Sequence, residues 1–95
     1  PVKAALECSV RYLAAELGPA RIRVNALSPG PVKTRAASGL AHFDELMRKA
    51  AEAVPLGQTV TIEQIGEMAA FLASDKASQV TGQIVYVDAG YNIVG

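Results

Sequence analysis

The apolar segment Ile84–Val87 near the carboxyl terminus most constrains how this chain can fold. It shows no alternation of polar and apolar residues, which is typical of a strand covered on both faces in a parallel sheet. A second strand is predicted over residues 22–27, far away in the sequence. Because two strands do not make a stable sheet of this kind, we expect the remaining strands to come from an amino-terminal part before Pro1 or from another chain.

Apolar residues recur every three or four positions in three segments, which predicts three helices. The segments are Val2–Leu17, residues 42–54 and a stretch that begins at Thr61. Gln64 follows Thr61 by three positions, as in a capping box that starts a helix. The predicted order is helix, strand, helix, helix, strand, in an α/β domain that takes in residues 1–95 without an internal boundary.

The composition excludes several classes of function. Nine basic residues balance nine acidic ones among 95, which argues against a nucleic-acid-binding face and a polybasic membrane patch. No apolar run is long enough to span a bilayer. Cys8, which we expect to be buried, is the only cysteine and fits a reducing compartment. Glu63 and Glu67 stand four apart without a nearby histidine, so we predict no metal site.

The segment after the first predicted strand contains Ser28, Pro29, Gly30 and Pro31 and breaks regular structure. Ligands of open α/β sheets bind just beyond the carboxyl ends of the strands. Backbone amides, a hydroxyl and two cations follow in quick succession over residues 32–35. We therefore interpret this loop as a wall for a ligand that carries phosphate groups.

Several motifs resemble one known family. Residues 23–30, Arg-Val-Asn-Ala-Leu-Ser-Pro-Gly, and the Thr-Gly-Gln to Val-Asp-Ala-Gly segment of residues 81–90 are similar to the short-chain dehydrogenases/reductases. Residues 30–39, Gly-Pro-Val-Lys-Thr-Arg-Ala-Ala-Ser-Gly, and residues 59–63, Thr-Val-Thr-Ile-Glu, resemble one branch, the bacterial enoyl-acyl-carrier-protein reductases. The resemblance covers essentially all 95 residues.

This resemblance implies the carboxyl-terminal part of a Rossmann-like, doubly wound parallel sheet. It implies NADH-dependent reduction of trans-2-enoyl-acyl-carrier-protein thioesters in fatty-acid synthesis, by a cytoplasmic homotetramer; NADPH is not excluded. The family's glycine-rich turn and catalytic tyrosine would precede Pro1, in a missing amino-terminal half. The 95-residue chain alone would then be inactive.

The resemblance also assigns the site. Lys3 would bind the nicotinamide ribose hydroxyls and place positive charge near the tyrosine, although a lysine at a helix start is often merely solvated. The backbone at Val32 would bond the nicotinamide carboxamide, and Thr34 would approach the pyrophosphate or cap a short helix. The residues implied in cofactor binding are Lys3, Pro31, Val32, Lys33, Thr34, Arg35 and Ala36.

The acyl chain would meet small and apolar residues after the turn. This substrate set is Ala36, Ala37, Leu40, Phe43 and Leu46. Phe43 and Leu46 could instead be core positions of an amphipathic helix. Asn25 and Asp88 are expected to satisfy nearby backbone groups.

Two alternatives remain at this point. One is another short-chain reductase, such as a 3-oxoacyl-acyl-carrier-protein reductase. The other is a helical module without enzymatic activity, whose apolar first helix binds a partner.

Overall fold

The computed structural model of the protein describes residues 2–33 and 42–94. The helices are α1 (Val2–Leu17), α2 (Phe43–Ala53) and α3 (Ile62–Ala73), and the strands are β1 (Ala26–Pro29) and β2 (Ile84–Val87). Short 3-10 turns cover Gly18–Ala20, Asp75–Ala77 and Tyr91–Ile93. The predicted α/β order is confirmed. No helix of the described ranges combines the length and the apolar character needed to cross a bilayer.

The two strands pair in parallel. The Ala26 amide donates to the Gln83 carbonyl at 2.9 Å, and the Gly30 amide donates to the Val87 carbonyl at 3.2 Å. The partner advances in the same direction along both strands, which defines a parallel ladder. Only the backbone amides of alternate β1 residues point toward β2. The nitrogen of Pro29, which carries no hydrogen, points away from β2, so the proline removes no hydrogen bond between the strands.

The prediction of a strand over residues 22–27 is wrong in position, because β1 begins at Ala26 and includes Pro29. The backbone just before it is held by one backbone bond, from the Gly82 amide to the Val24 carbonyl at 2.8 Å, and by bonds that involve side chains. The Val24 amide donates to the Thr81 hydroxyl at 3.1 Å. Asn25 donates to the Val80 carbonyl at 2.8 Å and accepts from the Gln83 amide at 3.1 Å. The predicted structural role of Asn25 is therefore confirmed.

The predicted bounds of β2 are confirmed, whereas its burial on both faces requires strands beyond the two described and stays a prediction. All four residues of Ile84–Val87 are only half-buried. In the part of the chain that the structure describes, the sheet has two strands. So small a sheet leaves much of its surface uncovered.

The chain divides into two compact units, and the first comprises Pro1–Leu27 and Ala69–Val85. Its buried apolar residues are Val10 and Ala14 of α1 and Ala77. Val10 and Ala14 stand four apart, so one face of α1 is directed inward. Cys8 lies off this face and is exposed, which corrects the prediction that it is buried.

Arg23 organises the polar part of this first unit. Its guanidinium donates to the carbonyl oxygens of Leu72 at 2.6 Å and Ser74 at 3.3 Å. These two carbonyls lie at the carboxyl end of α3 and just beyond it, where backbone acceptors lack helical partners. Arg23 thus ties the segment before β1 to the end of a helix.

The second unit comprises Ser28–Met68 and Tyr86–Gly95. Its buried residues are Val54, Val60 and the carboxylate-bearing Asp88. Helix α2 spans Phe43–Ala53, within one residue at each end of the prediction.

The predicted capping box opens α3 in this second unit. The Gln64 amide donates to the Thr61 hydroxyl at 3.1 Å, and the Thr61 amide donates to the Gln64 side-chain oxygen at 2.9 Å. Two amides that would lack helical partners are therefore satisfied reciprocally.

Removal of the Thr61 hydroxyl should loosen the first turn of α3. We expect Thr61→Ala to cost about 1 kcal/mol, the usual loss of a helix cap, and so to speed hydrogen exchange of the Gln64 amide about fivefold. Thr61→Ser keeps the hydroxyl and is the matched control. Equal exchange in the alanine and serine variants would contradict the role of the cap.

Candidate functional site

The candidate site begins where β1 ends, at Gly30 and the Pro31–Val32–Lys33 segment. Because β1 and β2 are parallel, their carboxyl ends meet at one edge of the sheet, and Asp88 directly follows β2. This is the edge at which open α/β sheets bind ligands. The residues that follow the two strands therefore determine what can bind there.

Gly30 lies against the backbone that follows β2. A β-carbon at Gly30 would stand 2.8 Å from the Asp88 Cβ and 2.9 Å from its Cα. Both distances are shorter than any relaxed carbon–carbon contact, so no larger residue fits without displacing the backbone. Glycine is needed here for close approach, since Gly30 does not have a positive φ angle.

Asp88 is buried, with 7% of its surface exposed. One carboxylate oxygen accepts from the Gly90 amide at 3.0 Å, and the other accepts from the Asn92 amide at 3.0 Å. The Asp88 carbonyl also accepts from the Tyr91 amide at 3.0 Å. As predicted, Asp88 satisfies nearby backbone groups, and it fixes the turn that follows β2.

The far side of this turn packs on the segment between α2 and α3. Gly90 has φ 94°, and a β-carbon there would lie 2.7 Å from Pro55 Cγ. The Leu56 amide donates to the Ala89 carbonyl at 3.2 Å. Sequence reasoning did not assign Gly90 or Pro55 to the site; the Asp-Ala-Gly sequence after an apolar strand is the signal that pointed to this turn.

The described residues of the predicted cofactor set lie together at this edge. Pro31 and Val32 are half-buried and Lys33 is exposed. The Lys33 ammonium lies 3.4 Å from an Asp44 carboxylate oxygen, with both side chains largely exposed. An exposed pair of this kind adds little stability, so Lys33 remains a solvated cation beside the loop.

Helix α2 carries the described part of the predicted substrate set. Phe43 is half-buried, and Leu46 is 61% exposed. The alternative that Leu46 is a core position is therefore wrong for this chain. The predicted site residues that lie outside the described residues are Thr34, Arg35, Ala36, Ala37 and Leu40.

Lys3 belongs to the first unit, on the first turn of α1, and its side chain is exposed. Its role in cofactor binding stays a prediction. No group of three histidine, cysteine, aspartate or glutamate side chains is placed to hold a metal ion within residues 2–33 and 42–94.

A cleft of about 260 Å³ lies beside the end of β2 in the second unit, lined by Leu56, Gln58, Thr59, Val60, Gln64, Val87 and Ala89. Ligand sites commonly enclose about 300–1,000 Å³. The cleft is too small for a dinucleotide, and none of the predicted site residues lines it. The loop after β1 therefore remains the stronger candidate surface.

Known proteins resemble this chain over nearly its whole length. The sequence profile of the family described as Enoyl-(Acyl carrier protein) reductase matches residues 1–92. The enoyl-[acyl-carrier-protein] reductase [NADH] FabI of Synechocystis sp. is 54% identical over 93 residues, which are 98% of this chain and 36% of that protein.

Solved structures agree with this match. The Bacillus cereus enoyl-acyl carrier protein reductase, crystallised with NADP+ and an indole naphthyridinone, gives a TM-score of 0.83 at 49% identity, over 98% of this chain and 36% of that one. The Anaplasma phagocytophilum reductase in complex with NAD gives 0.81 at 42% identity, over 98% and 33%. These are Rossmann-like enzymes, and the chain spans about a third of their length.

The contact between Gly30 and Asp88 predicts opposite effects for two glycine-to-alanine changes. Gly30→Ala should lower the free energy of unfolding by about 1–3 kcal/mol, the usual cost of overpacking. Gly66, inside α3, has open space around it, so Gly66→Ala should raise that free energy by about 1 kcal/mol.

Chemical denaturation of the two variants measures both changes. The same sign of change in the two variants would contradict the close approach at Gly30, because helix propensity and overpacking act in opposite directions here.

Proposed function

The chain belongs to the enoyl-(acyl carrier protein) reductase family, and we propose that it is the carboxyl-terminal part of an enzyme that reduces trans-2-enoyl-acyl-carrier-protein thioesters with NADH. The single observation that carries this function is the family match over residues 1–92. The parallel strand ends and the Gly30–Asp88 contact support it, because they fix where the chain leaves β1 at the edge of the sheet where ligands bind.

The rest of the enzyme is part of the same proposal. The chain spans 36% of the Synechocystis relative, so we infer that the catalytic tyrosine and the glycine-rich phosphate turn lie in an amino-terminal half. We propose a cytoplasmic homotetramer. Leu6, Tyr12 and Leu13 of α1 are exposed at 57%, 67% and 42%, which supports a contact between subunits over this helix.

The described loop fits a nicotinamide in three respects. Gly30 has no side chain to obstruct the edge, Pro31 restricts the backbone, and the half-buried Val32 offers its backbone just beyond β1. Bound NADH supplies the hydride that is transferred to the β-carbon of the enoyl thioester. The role of Val32 is then to hold the carboxamide by its backbone, and thereby to orient the ring.

Lys3 supplies positive charge in this proposal. Negative charge develops on the thioester oxygen as the hydride reaches the β-carbon. The tyrosine hydroxyl would stabilise that oxygen, and the Lys3 charge near the hydroxyl would strengthen the effect. The Lys3 ammonium also holds the ribose hydroxyls, so one group both binds the cofactor and sets the local electrostatic potential.

The acyl chain has an apolar wall on α2. Leu46 exposes 61% of its surface beside the half-buried Phe43. Burial of such a side chain against a hydrocarbon chain contributes about 1.5–3 kcal/mol. The proposal also assigns Ala36, Ala37 and Leu40, which lie outside the described residues, to acyl-chain binding.

Two thioester substrates test the reaction class in the full-length protein. With NADH as the reductant, crotonyl thioester should be reduced, whereas acetoacetyl thioester should not. Each reaction is followed by the loss of NADH absorbance. Reduction of acetoacetyl thioester alone would instead support a 3-oxoacyl reductase.

Replacement of the Lys3 ammonium should weaken cofactor binding and turnover together. We expect Lys3→Met to lower kcat/KM for NADH by about 10- to 150-fold, since a charged hydrogen bond contributes about 1.5–3 kcal/mol. Lys76, exposed on the Asp75–Ala77 turn, provides the control Lys76→Met. Kinetic constants that are the same in the two variants would exclude Lys3 from the site.

A further inference from the structure

We propose that Asp88 is a positioning residue for the nicotinamide: its carboxylate fixes the turn against which Gly30 packs, and so fixes the peptide backbone of Pro31 and Val32. This inference rests on the proposed function, in which that backbone holds the carboxamide. Asp88 itself touches neither cofactor nor substrate in this account, and it acts entirely through the loop.

The Asp88 carboxylate stabilises the turn that follows β2. Its two oxygens each accept one backbone amide, from Gly90 and from Asn92, both at 3.0 Å. Ala89, between Asp88 and Gly90, has φ 57°, a left-handed conformation that a residue with a side chain seldom adopts unaided. The two carboxylate bonds stabilise this strained turn.

The turn after β2 lies between two segments of the second unit. On one side the Asp88 Cα and Cβ would stand less than 3.0 Å from a Gly30 β-carbon. On the other side Gly90 packs with equal closeness on the ring of Pro55. A turn held on both sides has little room to shift, because close-packed atoms resist displacement.

The position of Gly30 in turn determines the position of the Val32 backbone. The Gly30 amide is bonded to the Val87 carbonyl at 3.2 Å, so Gly30 is anchored to β2 as well as to Asp88. Pro31 fixes its own φ angle and restricts the conformation of the residue before it. If the turn at Asp88 shifts, the Val32 backbone therefore shifts with it, because the intervening residues have little freedom to rotate.

The geometry requires a carboxylate. Asparagine presents one oxygen, so it can accept only one of the two amides and must point its NH2 group at the other. Alanine accepts neither. We therefore expect a graded series, in which the asparagine variant lies between the wild type and the alanine variant.

The test uses the full-length enzyme with NADH and crotonyl thioester, and compares Asp88→Asn and Asp88→Ala with the wild type. A displacement of about 1 Å at a reacting group can cost about 100-fold in rate. We expect Asp88→Ala to lower kcat by about 10- to 100-fold and to raise the KM for NADH, with an unchanged KM for the thioester. Asp88→Asn should show a smaller change in the same two constants. Asp75→Asn, at an exposed aspartate of the first unit, is the matched control and should leave all constants unchanged.

The fluorescence emission of bound NADH gives the readout that a merely structural role would not move. A loss of folded enzyme lowers the apparent kcat alone, whereas a misplaced nicotinamide also changes the emission spectrum of the cofactor that is bound. Unchanged emission and an unchanged KM for NADH in both Asp88 variants would overturn the proposal. So would the failure of both variants to fold, because it would assign the carboxylate to folding only. Wild-type turnover tests the proposed function separately, so either idea can fail without the other.

Discussion

The contact between Gly30 and Asp88 is the constraint on which the site depends. It forms because β1 and β2 run in parallel and end at the same edge of the sheet. The missing side chain of Gly30 lets the two backbones approach closer than any other residue would allow. The hydrogen bond from the Gly30 amide to the Val87 carbonyl also fixes the orientation of the Gly30 backbone, so the chain leaves β1 along a defined path.

Polar and apolar interactions both stabilise the backbone around that contact. The buried Asp88 carboxylate organises the turn after β2, and Pro55 supports the same turn from the other side. In the first unit, the side chains of Asn25 and Arg23 stabilise the backbone before β1. They donate to the carbonyl oxygens of Val80 and Leu72, which lie outside the strands. Side chains of this kind fix irregular backbone, and irregular backbone is what a ligand-binding loop consists of.

The sequence predicted the regular elements better than the segments between them. Apolar periodicity gave α2 to within one residue at each end, and the Thr61–Gln64 capping box gave the start of α3. It misplaced β1, because the bonds from Asn25 to Val80 and Gln83 join residues more than fifty positions apart and leave no local pattern. The exposure of Cys8 was also missed, since burial depends on what covers a surface and not on the apolar character of its residues. At the site, the residue types at Gly30 and Pro31 indicated a turn, whereas the support from Gly90 and Pro55 became visible only in three dimensions.

The most direct measurement is a structure of the full-length enzyme with bound NADH. The central claim is that the loop fixed by Gly30 and Asp88 meets the nicotinamide, and that Lys3 holds the adjoining ribose. We predict a Val32 backbone atom within about 3 Å of the carboxamide and the Lys3 ammonium within about 3 Å of a ribose hydroxyl, the usual hydrogen-bond distance. A nicotinamide bound away from Val32, with Lys3 directed into solvent, would contradict it.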